Sequence, residues 1–297
     1  MSAKEIYGTG VALVTPFHVS GQIDFSSLSQ LVNHVIEGGV DFVVALGTTA
    51  ETATLNRDER AAVLQAIIDD VDNRVPVVVG LGSNNTSELV QEIHSFDFKG
   101  VDGILSVAPY YSKPNQRGIY EHFKQIAMAT DLPIIIYNVP GRTSSNISAE
   151  TCIKLANNFE NIVAVKEASG DLMQVMEIIK NRPAGFSVFS GDDALTLPSL
   201  AIGADGVISV IANAFPKSMS EMVSGTLSDQ ERYISMAIHY QMIDVINALF
   251  ADGNPAGIKA LLDHLGLVKN NLRLPMVKVN RSLNTELKKY ALESGLE

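Results

Sequence analysis

Short apolar runs rich in β-branched residues recur along the first two-thirds of the chain, each followed by a polar turn and a stretch of helical periodicity. The runs fall at residues 11–15, 42–46, 75–80, 103–107, 134–137, 162–166, 187–190 and 206–210. Strands apolar on both faces are what a parallel sheet covered by helices requires. Between them the pattern predicts helices over 26–38, 56–71, 87–96, 118–130, 148–157, 172–179 and 195–202, with Ser148 as an N-cap three residues before Thr151. Eight such units predict an α/β chain folded as a (β/α)₈ TIM barrel, a fold of about 250 residues. An open doubly wound sheet is the competing architecture, but its G-x-G-x-x-G fingerprint is missing, and Gly80–Gly82 lacks the third glycine. Strand runs stop near Pro216, so residues 1–216 are expected to form the barrel and 217–297 a helical C-terminal appendage packed on it.

Composition narrows the function. The chain has 297 residues, 46% of them hydrophobic, which is enough for a large core and excludes disorder. Its formal net charge is −11 with no Lys/Arg cluster, which argues against a nucleic-acid surface. Cys152 is the sole cysteine, so no disulfide is expected and a reducing compartment is. The first residues, MSAKEIYGTG, lack the apolar core of a leader peptide. The best membrane candidate, 194–216, is interrupted by Pro198, Gly203, Asp205, Gly206 and Asn213. A soluble, cytoplasmic protein is expected.

In a barrel, chemistry collects at the C-terminal ends of the strands and in the βα loops. Lys166 ends the sixth run, where partial desolvation lowers a lysine pKa and frees the amine as a nucleophile toward a ketone carbonyl. By position alone, a lysine leaning into solvent or paired with Glu167 is an equal alternative. Tyr137 ends the neighbouring run, and equivalent strand ends lie roughly 5 Å apart, so the phenol can carry protons for the amine. The Gly47-Thr48-Thr49 loop offers hydroxyls and backbone N–H groups to a small carboxylate, or simply makes a tight turn. Arg142 offers a planar fork for a second carboxylate. The six histidines are too scattered for a metal site. Asp192-Asp193 suits a turn better than Mg²⁺, and Cys152 has no base beside it. No metal and no cofactor are expected.

Taken together, Gly47-Thr48-Thr49-x-Glu51, Tyr137-Asn138-Val139-Pro140-x-Arg142-Thr143 and Lys166-Glu167 resemble the dihydrodipicolinate synthase family of pyruvate-dependent class I aldolases. The likeness spans essentially the whole chain. It implies that Lys166 forms a Schiff base with pyruvate and that Tyr137 donates and accepts protons. It further implies that Thr48 and Tyr111 extend the relay, Tyr111 reaching in from a neighbouring subunit. Thr49 and Ile208 would hold pyruvate, Gly191 would belong to the substrate site, and Arg142 would bind the carboxylate of L-aspartate 4-semialdehyde. The product would be 4-hydroxy-tetrahydrodipicolinate, on the route to diaminopimelate and lysine. A homotetramer, a dimer of dimers, is implied, with no nucleic acid or membrane partner. An L-lysine feedback site would use Ala53, Asn84, Glu88 and Tyr110, although Arg57 and Arg60 stand where sensitive relatives often carry histidines. Ala50 replaces the family's usual glycine, which puts the loop's backbone freedom in question. The alternatives are an N-acetylneuraminate lyase or 2-keto-3-deoxy sugar-acid aldolase of the same superfamily, and a non-catalytic keto-acid sensor.

Overall fold

The computed structural model describes residues 6–228 and 232–297; the first five positions, read above for a leader, lie outside them. Eight strands close into a parallel barrel in sequence order: β1 (Gly8–Ala12), β2 (Phe42–Ala45), β3 (Val77–Gly80), β4 (Gly103–Val107), β5 (Ile134–Asn138), β6 (Ile162–Glu167), β7 (Ser187–Ser190) and β8 (Gly206–Ser209). Strand β8 closes the ring on β1, Gly10 opposite Ile208. Helices α1 (Phe25–Glu37), α2 (Arg57–Val71), α3 (Thr86–Ser95), α4 (Gln116–Ala127), α5 (Pro140–Thr143), α6 (Ala149–Asn158), α7 (Leu172–Asn181) and α8 (Thr196–Ala201) follow the strands, and α9 (Pro216–Leu227), α10 (Arg232–Ala251), α11 (Ala256–His264) and α12 (Arg281–Glu293) complete the chain. The TIM-barrel expectation is met.

Two apolar layers explain why these runs become strands. Alternate residues point inward and outward, a period of two. Phe42, Val78, Leu105, Ile135, Ala164, Phe189 and Ile208 fill the barrel interior. Val43, Val79, Ile104, Ile134, Ile136, Val165 and Val207 face the helices. Phe42 meets Phe189 edge to face at 5.6 Å, and a Cβ on Gly10 would sit 2.2 Å from the Phe42 ring, so only glycine fits there. The helix starts are locally encoded. Ser148 accepts from Thr151 N, and Asn56 forms a capping box with Glu59.

Two sequence expectations shift, the bounds of the first strand and the choice of membrane candidate, while the breaks read in 194–216 hold. The first run, 11–15, overshoots its strand: β1 ends at Ala12, and Val14 N donates to Asn213 Oδ1 at 3.2 Å while Thr15 Oγ1 donates to Ala50 O at 2.8 Å. Leu13, Val14 and Phe17 are buried in the main core beyond the ladder, which is why the apolar pattern continues. Segment 194–216 folds as a 3₁₀ turn, α8, β8 and a second 3₁₀ turn. Among the described residues, the helix that is long and apolar enough to cross a membrane is instead α10, and its Ser235, His239, Met242, Val245, Ile246 and Leu249 form a buried stripe. That spacing is a core-facing helix face.

Candidate active site

Register places the two central groups together. Tyr137 of β5 pairs directly with Lys166 of β6. Because Ile135 and Ala164 face inward, alternation turns Tyr137 and Lys166 inward as well, at the C-terminal mouth. Lys166 is 5% exposed, and its Nζ lies 4.5 Å from the centroid of the Tyr137 ring. The pairing with Glu167 left open above does not occur. Glu167 faces the other way, where its carboxylate accepts from Asn138 Nδ2, Gln174 Nε2 and Ser169 N. Solvent exposure of the lysine is likewise overturned by its burial.

Burial sets the protonation states. Desolvation pushes Lys166 down to about 8; the negative charge of Asp193 opposes the fall and the positive charge of Arg142 adds to it. A free amine is therefore accessible near neutral pH. Desolvation raises the Tyr137 phenol above its usual value, with Arg142 and a hydrogen bond from the Thr48 side chain working the other way, so Tyr137 is a protonated phenol that can give up and recover a proton.

The loops bring in the rest. Gly47 begins a 3₁₀ turn, Thr48–Ala50, that leaves Thr48 exposed toward the mouth and buries Thr49. Ala50 sits inside that turn, and the left-handed backbone falls on the next residue, Glu51, at φ 55°. The methyl of Ala50 therefore meets no conformational obstacle. Arg142 stands on the short helix α5, which Pro140 opens, and its Nη2 reaches Asn254 O at 3.4 Å. Gly191 lies against the lysine: a Cβ there would come within 3.0 Å of Lys166 Cε and 2.7 Å of Ala168 Cβ. Ile208 is buried in the barrel interior in the same apolar cluster as Tyr137. Tyr111 follows β4 at φ 69° and is 88% exposed.

Two groups at the site carried little or no sequence signal. Asp193, read above as a turn residue, accepts from Val210 N and Ile211 N at 3.0 and 2.9 Å, and burial raises its carboxyl. It fixes the end of β8 and places a negative charge by Lys166. Its neighbour Asp192 caps Ala194 N. Asn254, in the loop between α10 and α11, donates to Thr49 Oγ1 at 2.9 Å from 205 residues away, and no local pattern marks it. Cys152 is buried in α6 with its thiol pushed far up by desolvation, consistent with an inert side chain.

Of the suggested effector residues, Ala53, Asn84 and Tyr110 lie on the segments after β2, β3 and β4, which are adjacent in the barrel, Glu88 lies in the first turn of α3, and all four are exposed. Arg60 pairs with Glu92 at 3.0 Å, and among the described residues Glu88 has no ion-pair partner.

Comparisons with known proteins bear on the chain as a whole. Residues 5–293 match the Dihydrodipicolinate synthetase family. The chain is 49% identical over 288 residues to the 4-hydroxy-tetrahydrodipicolinate synthase of Azobacteroides pseudotrichonymphae, covering 96% of each. It superposes with TM-score 0.94 on dihydrodipicolinate synthase from Cyanidioschyzon merolae with lysine bound, at 38% identity over 98% of this chain and 99% of that one. The chloride-inhibited enzyme of Acinetobacter baumannii complexed with pyruvate matches with TM-score 0.94 and 37% identity, over 99% of this chain and 100% of that one. Strand-end lysine, paired tyrosine and full-length similarity converge, and the chain belongs to the dihydrodipicolinate synthetase family.

Proposed function

We propose that this chain condenses pyruvate with L-aspartate 4-semialdehyde to 4-hydroxy-tetrahydrodipicolinate, acting as a lyase of the class I aldolase type. The observation that carries the reading is a buried amine, lowered to about 8, stacked on a tyrosine whose hydroxyl is tied to Thr48. The neutral Lys166 amine adds to C2 of pyruvate. Tyr137 passes a proton to the departing hydroxyl, water leaves, and an imine forms. Loss of a C3 proton gives the enamine, whose carbon attacks the aldehyde of the second substrate while the aldehyde oxygen takes up a proton. The amino group of the acceptor then adds to the imine carbon, closes the ring and expels Lys166. Thr49, Gly191 and Ile208 are assigned to pyruvate: Gly191 leaves room beside the reactive side chain, and Ile208 excludes water. The single, buried cysteine suits a reducing cytoplasm.

Arg142 supports a short acidic acceptor over a polyhydroxylated sugar. Arg142→Ala is expected to lower turnover with L-aspartate 4-semialdehyde by tens to a hundredfold, the equivalent of about 2–3 kcal/mol for a charge-assisted contact. Pyruvate imine formation should change far less. Coupled steady-state assays of both steps check this. Equal activity of the parent chain on N-acetylneuraminate would favour the sister lyase.

The active unit is a dimer of dimers in this reading. An exposed tyrosine held at positive φ is a costly local state, and a neighbour's relay gives it a use. For feedback, Glu88 is free to take an effector ammonium, with Asn84 and Tyr110 bonding its polar ends and Ala53 beside them; the lysine-bound relative supports this ligand. Millimolar L-lysine is expected to lower the rate, and Glu88→Ala to remove that effect with pyruvate trapping intact. A rate flat across the titration would contradict the effector site.

A further inference from the structure

The turn Gly47–Glu51 carries both threonines of the site, yet little of what holds it comes from the barrel. Thr15 Oγ1 donates to Ala50 O, and Thr52 Oγ1 to Gly47 O at 3.0 Å. The turn ends on Glu51, a non-glycine residue in left-handed backbone, a conformation that persists only where surrounding contacts impose it.

Those contacts come from the other end of the chain. Lys259 of α11, fully buried, makes an ion pair with Glu51 Oε1 across 208 residues of sequence. Its Nζ also donates to Asn271 O at 2.9 Å and lies 4.2 Å from the centroid of the Phe17 ring. The second oxygen of Glu51 accepts from Arg273 N at 3.0 Å. The Arg273 guanidinium then grips Glu59 at 2.6 and 2.8 Å and the carbonyls of Gly21 and Thr54. One carboxylate thus receives an ammonium and a backbone donor from two segments that follow α10.

We infer that the buried Glu51–Lys259 pair is a positioning device for the proton relay, through which the C-terminal helices set where Thr48 and Thr49 stand relative to Tyr137 and Lys166. A buried ion pair is a poor choice for stability alone, because desolvating both charges offsets their attraction and apolar residues of similar volume do as well. What a carboxylate with two directional partners adds is a fixed angle for the turn. Glu51 follows Thr49 by two residues and Thr48 by three, so a small rotation there moves the Thr48 hydroxyl off the Tyr137 phenol, and misplacement near 1 Å is enough to cost a hundredfold in rate. Asn254 makes a parallel contact with Thr49 from the same region. Glu51 and Lys259 touch no reacting atom, so they are positioning residues.

The inference rests on the imine chemistry proposed above, and the experiment separates the two. Active sites are counted in every variant by the mass that pyruvate plus borohydride adds at completion, and kcat is expressed per trapped site. A parent chain that adds no pyruvate would overturn the imine reading itself. Glu51→Gln/Lys259→Met removes both charges at once and leaves no unpaired ion, so the variant is expected to fold. Its kcat per trapped site is expected to fall at least tenfold, its pyruvate KM to rise, and the trapping rate to slow. Leu287→Ala, a core truncation in α12, serves as the stability control: it should lower Tm with kcat per trapped site within twofold of the parent. Constants within twofold of the parent in the folded Glu51→Gln/Lys259→Met chain, or an equal loss in the control at matched Tm, would overturn the positioning role.

Discussion

Tyr137→Phe is expected to turn over about 10²–10⁴-fold more slowly than the parent, the usual worth of one positioned proton donor and acceptor. The substitution keeps the ring, so the face on which Lys166 Nζ rests at 4.5 Å remains and the lysine stays buried. Only the hydroxyl is lost. Thr48, its partner, is exposed and turns to water, so folding stability should change by no more than about 1 kcal/mol. The defect therefore belongs to proton transfer: carbinolamine breakdown slows because no group of suitable acidity stands by the departing hydroxyl. The same variant tests whether sites are shared. Mixed with Tyr111→Phe, subunits exchange so that an intact Tyr137 in one chain meets an intact Tyr111 from its neighbour, and activity returns. No recovery after verified exchange, or full activity in a monomeric fraction, would contradict the shared relay.

Much of the architecture was written in local patterns. Runs such as Ile134-Ile135-Ile136 are apolar on both faces, and a barrel with helices outside is the arrangement that buries both. The same alternation turned Lys166 inward and Glu167 outward, which the sequence reading had left open. Strand β1 was misplaced because Gly8 and Gly10 carry weak strand propensity, whereas Leu13 and Val14 beyond it are apolar for another reason, burial in the main core. The breaks in 194–216 were rightly seen, but the apolar helix that matters, α10, escaped notice because its polar positions are scattered around the helix rather than gathered on one face. Long-range electrostatics was the least readable layer. Lys259 reads as an ordinary helix lysine until Glu51, 208 residues earlier, is found beside it. Asn254 and Asp193 likewise acquire roles only once the loops are closed over the barrel.

Removal of the nucleophile should have the largest effect. Lys166→Ala is expected to abolish imine formation altogether and to leave condensation at or near the uncatalysed rate, because among the described residues Lys166 is the lysine whose ammonium lies over the Tyr137 ring. The pH dependence of the parent follows from the amine's position. With a pKa of about 8, the neutral form grows tenfold for each pH unit up to that value and then levels off, so roughly one site in ten is reactive at pH 7. The trapping rate should rise with that slope from pH 6 and flatten above 8. A lysine at its ordinary value near 10.5 would keep rising through pH 9.

The most direct measurement is therefore borohydride trapping with pyruvate, followed by peptide mass mapping. The account predicts one pyruvyl addition per chain, on the peptide containing Lys166, with a rate that levels above about pH 8 and with no addition in Lys166→Ala. Equal trapping in Lys166→Ala, or addition mapped to another lysine, would contradict it.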